Sequence, residues 1–241
     1  MTVPRIEVHE DAASLATEVA GELLTRLTSV QQTGRVPQIA LTGGSIAEAV
    51  HREVARLSPG SGLDWSQVVV WWGDERFVAA DSSERNAVQA RTAFLDAVPV
   101  DPGNVHEVPS TAHAGSVADA ATAYEQAIRE HGAGVFDVVM LGVGPDGHVA
   151  SLFPGSPALD VDDRIAVGVT HSPKPPPERV SLTLPALNRT RATWLLVSGD
   201  EKADAVAAAL GGADVHDTPA AGVSGQDETV WFLDRAAASA L

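Results

Sequence analysis

Short apolar segments alternate along the chain with longer segments whose apolar residues recur every three or four positions. The short segments predict strands at residues 5–9, 38–41, 68–72, 135–143, 165–169, 180–183, 192–197 and 230–233. The longer segments predict helices at residues 11–28, 46–57, 83–97, 117–131 and 201–210. Strands that alternate with helices indicate an α/β fold, a mostly parallel sheet with helices on both faces. The sequence has no internal repeat and no long linker, so we expect residues 1–241 to form a single domain.

Charge and composition limit the kinds of molecule that the protein is expected to bind. The chain has 32 acidic residues against 16 Lys and Arg, a net charge of −16. Nucleic acids and anionic membranes bind basic patches, so we expect neither as a partner. No apolar segment approaches the about 18 residues of a membrane span, and residues 1–10 lack the pattern of a signal peptide. The absence of cysteine excludes disulfides and agrees with a reducing cytoplasm.

The loops that follow parallel strands are candidate sites, because ligands bind at the carboxyl edge of such sheets. The first is Thr42-Gly43-Gly44-Ser45, between a predicted strand and a predicted helix. Its glycines would let the backbone approach a ligand, and free N–H groups at the start of the helix would suit a phosphate. A tight turn with Ser45 as helix N-cap explains the same residues. The spacing alone leaves both interpretations open.

The second loop, residues 73–76, carries three consecutive charges after a buried strand. Arg76 could hold a phosphate or an oxyanion. Asp74 could bind sugar hydroxyls or orient a catalytic group. A solvated loop with a local ion pair is the alternative, and for a loop taken alone it is the more common situation.

The third loop, residues 142–148, reads Gly-Val-Gly-Pro-Asp-Gly-His and follows the clearest buried strand. Glycine and proline predict a sharp turn with Asp146 and His148 at its rim. A neutral imidazole can take a proton from water near neutral pH, and a nearby carboxylate can fix its tautomer. We therefore favour His148 as a general base and Asp146 as its partner. The alternative is a capping Asp and an incidental His before a short helix at residues 149–153.

Two later cations are candidates for the same cleft. Arg179 follows a segment with four prolines, residues 173–177, which predicts a stiff extended loop. Lys202 lies at the start of a predicted helix, where a cation is unfavourable unless an anion lies nearby. Two solvated surface side chains would explain the same spacing. If all three loops follow parallel strands, we expect a phosphate cradle, cations and an acid–base pair to share one edge of the sheet.

Several segments together resemble the 6-phosphogluconolactonase family, in the superfamily that includes glucosamine-6-phosphate deaminases. They are residues 141–155 (LGVGPDGHVASLFPG, the most specific), 175–185 (PPPERVSLTLP), 72–76 (WGDER) and 198–203 (SGDEKA). The resemblance implies a modified Rossmann-like fold and hydrolysis of 6-phospho-D-glucono-1,5-lactone, a small phosphosugar lactone of the oxidative pentose phosphate pathway. It implies no metal and no cofactor. We expect a cytoplasmic enzyme that is a monomer or a weak homo-oligomer.

The resemblance also assigns roles to individual positions. It places the catalytic base on His148 and its partner on Asp146. It places the phosphate-binding positions on Gly43, Gly44, Ser45, Arg179 and Lys202, and the family's loop arginine on Arg76. With Asp74 from the second loop, these are the substrate-binding residues that we expect. The chain departs from the family pattern at two places. Ile46 and Ala47 stand where Thr and Pro often follow the glycines, and residues 83–86 resemble a Ser-Asn element with two inserted residues, which leaves open whether Asn86 reaches the site.

Two other functions compete with lactone hydrolysis. An isomerising deaminase would use a similar phosphate loop and Asp-Gly-His turn, but its family supplies a Glu five positions after the His. Phe153 stands there in this chain. The apolar residue favours the lactonase, because lactone hydrolysis needs only an activated water and a place for the oxyanion. A sugar-phosphate sensor would normally carry a DNA-binding domain, which we do not expect at this net charge, and would not need Asp146 and His148.

Overall fold

Nine strands form two separate sheets in the part of the chain that the structure, a computed structural model, describes, residues 3–241. They are β1 Arg5–His9, β2 Gln38–Leu41, β3 Val69–Trp72, β4 Asp74–Arg76, β5 Phe136–Gly142, β6 Ala166–Val169, β7 Arg179–Leu182, β8 Thr190–Val197 and β9 Glu228–Asp234. The main sheet has the order β1-β9-β8-β5-β2-β3, and each neighbouring pair is parallel. The prediction of an α/β fold with a mostly parallel sheet is confirmed.

Helices cover both faces of the main sheet. They are α1 Ala12–Gln32, α2 Ser45–Leu57, α3 Asn86–Ala93, α4 Val117–His131, α5 Leu184–Leu187 and α6 Ala203–Leu210. Because successive side chains of a strand point to opposite faces, Trp72 packs in the core with α1, α2 and α3, whereas Trp71 packs in the core with α4 and α6. Across residues 3–241, none of these helices combines the length and the apolar composition needed to cross a bilayer.

The second sheet was not predicted. It has the order β4-β7-β6 with antiparallel pairing, and Arg76 lies opposite Arg179. The prediction that residues 73–76 form a loop after a parallel strand is therefore wrong. The reason lies at Gly73, whose N–H donates to the carbonyl of Leu41 at 2.9 Å while its own carbonyl accepts from the N–H of Leu182 at 2.8 Å. The chain passes from one sheet to the other at this residue.

The helix predicted at residues 83–97 is shorter than expected, and the short helix of the alternative interpretation is not formed. The helix predicted from residue 83 begins at Asn86, because the buried carboxylate of Glu75 accepts hydrogen bonds from the N–H groups of Asn86 (2.7 Å) and Ala87 (2.9 Å). The short helix considered at residues 149–153 is absent from that segment, which consists of turns and single bridges. Ala150 there has a φ of 50°, a left-handed conformation that a right-handed helix excludes.

Tyr124 joins α4 to β3 at the edge of the main sheet. Its buried hydroxyl donates to the carbonyl of Trp72 and accepts from the N–H of Trp72, both at 2.8 Å. We expect Tyr124→Phe to lower the free energy of unfolding by about 1–3 kcal/mol, because two buried backbone groups lose their partner. Urea unfolding followed by circular dichroism measures the change. Ser29→Ala is the control and should cost less than about 0.5 kcal/mol, since its exposed hydroxyl bonds only within α1. Equal decreases in the free energy of unfolding of both variants would contradict a stabilising role for the hydrogen bonds between Tyr124 and Trp72.

Candidate active site

A cavity of about 330 Å³ lies where the chain leaves β2, β5 and β8. These three strands are neighbours in the sheet, so their following segments meet at one edge. Eight of the nine predicted site residues line the cavity: Gly43, Gly44, Ser45, Asp74, Arg76, His148, Arg179 and Lys202. The ninth, Asp146, lies behind the ring of His148 and is bonded to it. The structure thus brings all nine positions together.

The Asp146–His148 pair sits on a closed turn after β5. The N–H of Gly144 donates to the carbonyl of His148, and the N–H of Gly147 donates to the carbonyl of Gly144, both at 2.9 Å. Gly147 has a φ of 78°, which favours glycine. Nδ1 of His148 lies 2.5 Å from Oδ1 of Asp146. A methyl group on Gly144 would overlap both the imidazole and this carboxylate, so the pair depends on glycine at that position.

Burial and charge both shift the pKa values of the Asp146–His148 pair. Burial lowers the pKa of His148 below the usual value, and this outweighs the hydrogen bond and charge of Asp146, which act to raise it. Burial raises the pKa of Asp146, but the hydrogen bond and charge of His148 and the charge of Lys174 together leave it lowered. Asp146 is thus a carboxylate and His148 is neutral near pH 7. Because Nδ1 is bonded to Asp146, Nε2 is the ring nitrogen left to accept a proton.

The loop after β2 leads into the start of α2 with the geometry of an anion-binding site, which we call the anion cradle. Gly44 is the N-cap residue and has a φ of 101°. Ser45, the N-cap in the alternative interpretation of this loop, is instead the first residue of the helix. The free N–H groups of this first turn and the positive end of the helix dipole suit an anion. The hydroxyl of Ser45 and the side chain of Arg76 border the same cavity.

Asn86 and Arg76 lie against this cradle. Nη1 of Arg76 donates to Oδ1 of Asn86. A methyl group on Gly43 would overlap the amide of Asn86 and lie 3.0 Å from Nη1 of Arg76. Asn86 therefore does reach the site, a question that the sequence left open. Because Gly43 has no side chain, the amide of Asn86 and the guanidinium of Arg76 can approach the loop.

Asp74 connects three elements below the cavity. It is buried, and its Oδ2 accepts a hydrogen bond from the hydroxyl of Ser151 at 2.7 Å. Its Oδ1 accepts from Nδ2 of Asn86 at 3.3 Å. Both carboxylate oxygens are therefore engaged by protein donors. This arrangement holds β4, α3 and the segment after His148 together at the cavity wall.

Glu75 is a supporting residue that sequence reasoning missed. Besides the two N–H groups at the start of α3, its carboxylate accepts the N–H of Arg76 at 2.8 Å. The buried guanidinium of Arg85 lies 3.8 Å away. Burial raises the pKa of Glu75 to about 6, against the opposing effects of Arg85 and the three N–H donors. The only sequence signal was a run of three charges after an apolar strand, which does not distinguish a helix cap from a solvated loop.

Arg179 forms hydrogen bonds to the backbone of the proline-rich segment. Its Nε donates to the carbonyl of Pro176 at 3.2 Å, and its Nη2 donates to those of Lys174 (3.2 Å) and Pro175 (3.1 Å). Its guanidinium also lies 5.8 Å from the centre of the Phe153 ring. Within residues 3–241 these bonds leave Nη1 as the nitrogen that can reach a ligand. Arg179 thus shapes the cavity wall as well as lining it.

Two lysines border the cavity, and the sequence indicated only one of them. Nζ of Lys202 donates to the carbonyl of Ser198 at 2.9 Å at the end of β8. Lys174, the residue that was missed, places Nζ 3.9 Å from Oδ1 of Asp146. A single lysine among prolines carries no local signal of a site. Among the described residues, no group of three or more His, Asp or Glu side chains is arranged to hold a metal ion.

The imidazole of His148 should titrate below the value of about 6.5 that is usual for histidine, since burial is the largest effect on its pKa. Asp146→Asn should lower the pKa of His148 further, because it removes the hydrogen bond and charge that favour the imidazolium. Titration of the histidine resonances by NMR, assigned with a His148→Gln variant, measures both shifts. A rise of the pKa in Asp146→Asn would contradict the electrostatic description of the pair.

Comparison with known proteins identifies the family. Residues 10–231 match the model of a family described as glucosamine-6-phosphate isomerases/6-phosphogluconolactonase. A 6-phosphogluconolactonase of Streptomyces coelicolor is 44% identical over 247 residues, which cover 99% of this chain and 95% of that protein. A crystal structure of 6-phosphogluconolactonase from Thermotoga maritima has a TM-score of 0.83 at 28% identity, covering 96% of this chain and 100% of that one.

The fold of this chain is also similar to that of a glucosamine-6-phosphate deaminase, the rival activity. The structure of a monomeric glucosamine-6-phosphate deaminase also has a TM-score of 0.83, at 21% identity, covering 98% of this chain and 100% of that one. The fold by itself therefore does not separate the two activities. The family model and the full-length relative confirm the resemblance seen in the sequence. The chain belongs to the glucosamine-6-phosphate isomerase/6-phosphogluconolactonase family.

Proposed function

We propose that the protein hydrolyses 6-phospho-D-glucono-1,5-lactone to 6-phospho-D-gluconate, a step of the oxidative pentose phosphate pathway. One observation carries the proposal: a His148–Asp146 pair with a free Nε2 borders the same cavity as an anion cradle at a helix N-terminus. The cavity of about 330 Å³ is of the size that holds one small ligand. The name 6-phosphogluconolactonase, borne by the Streptomyces coelicolor and Thermotoga maritima proteins, supports this choice of substrate.

The phosphate group binds at the cradle. It carries about −1.5 to −2 charges near pH 7 and accepts hydrogen bonds from the first N–H groups of α2 and from Ser45. Arg76, Arg179 and Lys202 supply the cations around it. Because the phosphate takes no part in the reaction, its binding energy fixes the position of the lactone carbonyl relative to His148.

Hydrolysis then proceeds by general-base catalysis. Nε2 of His148 accepts a proton from water as the water oxygen forms a bond to C1 of the lactone, and the carbonyl electron pair moves onto its oxygen. Asp146 keeps the imidazole in the reactive tautomer and stabilises the imidazolium that forms. When the oxyanion collapses, the bond from C1 to the ring oxygen breaks, and that oxygen takes the proton from His148. The steps need only protein side chains and one water.

Phe153 argues against the isomerising deaminase. Its ring is buried and packs on the ring of His148 with centroids 4.6 Å apart. The deaminase family supplies a Glu at this position, five residues after the His, for proton transfer between neighbouring carbons. An aromatic ring cannot carry a proton, but it does shield one face of the imidazole from water and contributes to the burial that keeps His148 neutral.

Initial rates on freshly prepared 6-phosphogluconolactone test the proposal, with 6-phosphogluconate dehydrogenase as coupling enzyme and the spontaneous rate subtracted. We expect rapid turnover by the wild type and a loss of about 10²–10⁴-fold in His148→Ala, the usual contribution of a general base. His131→Ala is the matched control and should keep wild-type activity, since His131 is an exposed residue at the end of α4.

The outcomes separate the parts of the proposal. Equal activity of wild type and His148→Ala would retain the lactonase but remove His148 as its base. A wild type no faster than the spontaneous reaction would contradict the function itself. Release of ammonia from glucosamine 6-phosphate would then be the next activity to measure.

A further inference from the structure

Both lysines of the chain border the candidate active site. The chain has fourteen arginines but only two lysines, Lys174 and Lys202, and both line the cavity with His148. Lysine differs from arginine in presenting a compact point charge on a flexible stem, whereas the arginine fork matches the planar geometry of phosphates and carboxylates. The positions of the two lysines allow their roles to be distinguished.

Lys174 lies at the catalytic pair. Its Nζ is 3.9 Å from Oδ1 of Asp146, the same oxygen atom that lies 2.5 Å from Nδ1 of His148. The ammonium group is thus next to the imidazole on a shared carboxylate oxygen. The distance to that oxygen is too long for a hydrogen bond, so the ammonium hydrogens remain available to a ligand. Its side chain lines the cavity and is 42% exposed.

The backbone of Lys174 is held firmly. The hydroxyl of Ser172 donates to the carbonyl of Lys174 at 2.8 Å and accepts from its N–H at 3.2 Å. The guanidinium of Arg179 bonds the carbonyls of residues 174, 175 and 176. These bonds, together with the prolines around it, direct the stem of Lys174 toward the cavity. The backbone that carries this stem is therefore fixed beside the cavity, and a cation held near its site of action favours stabilisation of a transition state.

Arg76 is the other cation considered for the oxyanion, and it lies against the anion cradle. Its guanidinium bonds Asn86 and approaches Gly43, so it belongs to the phosphate cradle. None of its hydrogen bonds or ion pairs in residues 3–241 involves Asp146 or His148. The contacts therefore separate the two cations: Arg76 lies among the residues of the anion cradle, and Lys174 lies beside the Asp146–His148 pair.

We propose that Lys174 stabilises the oxyanion that forms at C1 of the lactone. This inference rests on the proposed function. As water adds to C1 and its proton passes to Nε2 of His148, the carbonyl oxygen becomes negative beside the ammonium of Lys174. When the oxyanion re-forms the carbonyl, the ring oxygen departs with the proton from His148, and Lys174 keeps its own proton throughout. The phosphate remains with Arg76 and Lys202.

Steady-state kinetics of Lys174→Met and Lys174→Arg on 6-phosphogluconolactone test this assignment. Methionine keeps the length of the stem but removes the charge. We expect kcat to fall about 10²–10³-fold, the usual loss for one oxyanion donor, with KM changed less than about 3-fold. Arginine should restore part of kcat, because it restores the charge at a similar distance.

The pH dependence gives a second readout that a merely structural role would not change. The charge of Lys174 acts to lower the pKa of His148. In Lys174→Met the acid limb of kcat/KM should therefore move to higher pH. An acid limb at the wild-type position would contradict the proximity of the ammonium to the base.

Lys202→Met is the matched control, since it removes the other lysine of the same cavity. It should raise KM and leave kcat less affected than Lys174→Met does. If Lys174→Met raised KM with kcat unchanged, Lys174 would be a phosphate ligand and the proposal would be wrong. Normal kcat and KM in Lys174→Met would make it a solvated cation, which also overturns the proposal. An inactive wild type would instead mean that the proposed function itself has failed.

Discussion

The hydrogen bond between His148 and Asp146 is the interaction on which the candidate site depends. At 2.5 Å between Nδ1 and Oδ1, it fixes the tautomer of the imidazole and leaves Nε2 to act on a ligand. The bond is possible because Gly144 has no side chain to displace the two groups. The turn that carries them follows β5, between β8 and β2 in the sheet, so the parallel order brings the anion cradle and Lys202 to the same edge.

Local charge in the cavity differs from the charge of the whole chain. A net charge of −16 would repel a phosphate ester at long range, but surface charges more than about 8 Å away are largely screened at physiological ionic strength. The cavity itself is bordered by four cations, Arg76, Lys174, Arg179 and Lys202, and by the amino end of α2. The nearby carboxylates of Asp74 and Asp146 are both engaged by protein groups. An anionic ligand therefore meets a locally positive surface.

Sequence patterns predicted those elements and contacts that depend on residues close together in the chain. The apolar run before Gly142 predicted β5, and the Gly-Pro-Asp-Gly-His turn predicted that Asp146 and His148 would meet. The antiparallel sheet could not be predicted in this way, because β4 pairs with β7 across about a hundred residues and each strand has only three or four residues. The position of Asn86 could not be predicted either, because its N–H at the start of α3 donates to Glu75, which lies in β4.

Lys174 shows the limit of local patterns most clearly. Its position depends on Arg179, which bonds three successive carbonyls and so turns a proline-rich segment toward the cavity. From the sequence, Arg179 is only a cation near the predicted phosphate site. The structure adds that the same guanidinium shapes the wall that carries another cation. A side chain that acts through backbone carbonyls leaves no periodic or compositional trace.

Anchoring of the phosphate and base catalysis should act on one molecule in one cavity. The ratio of kcat/KM for 6-phosphogluconolactone to that for gluconolactone, which lacks the phosphate, measures this most directly. Two charge-assisted contacts of about 1.5–3 kcal/mol each, at 1.4 kcal/mol per factor of ten, predict a ratio of about 10²–10⁴. Equal values of kcat/KM for the two lactones would contradict the description of this cavity as a phosphosugar lactone site.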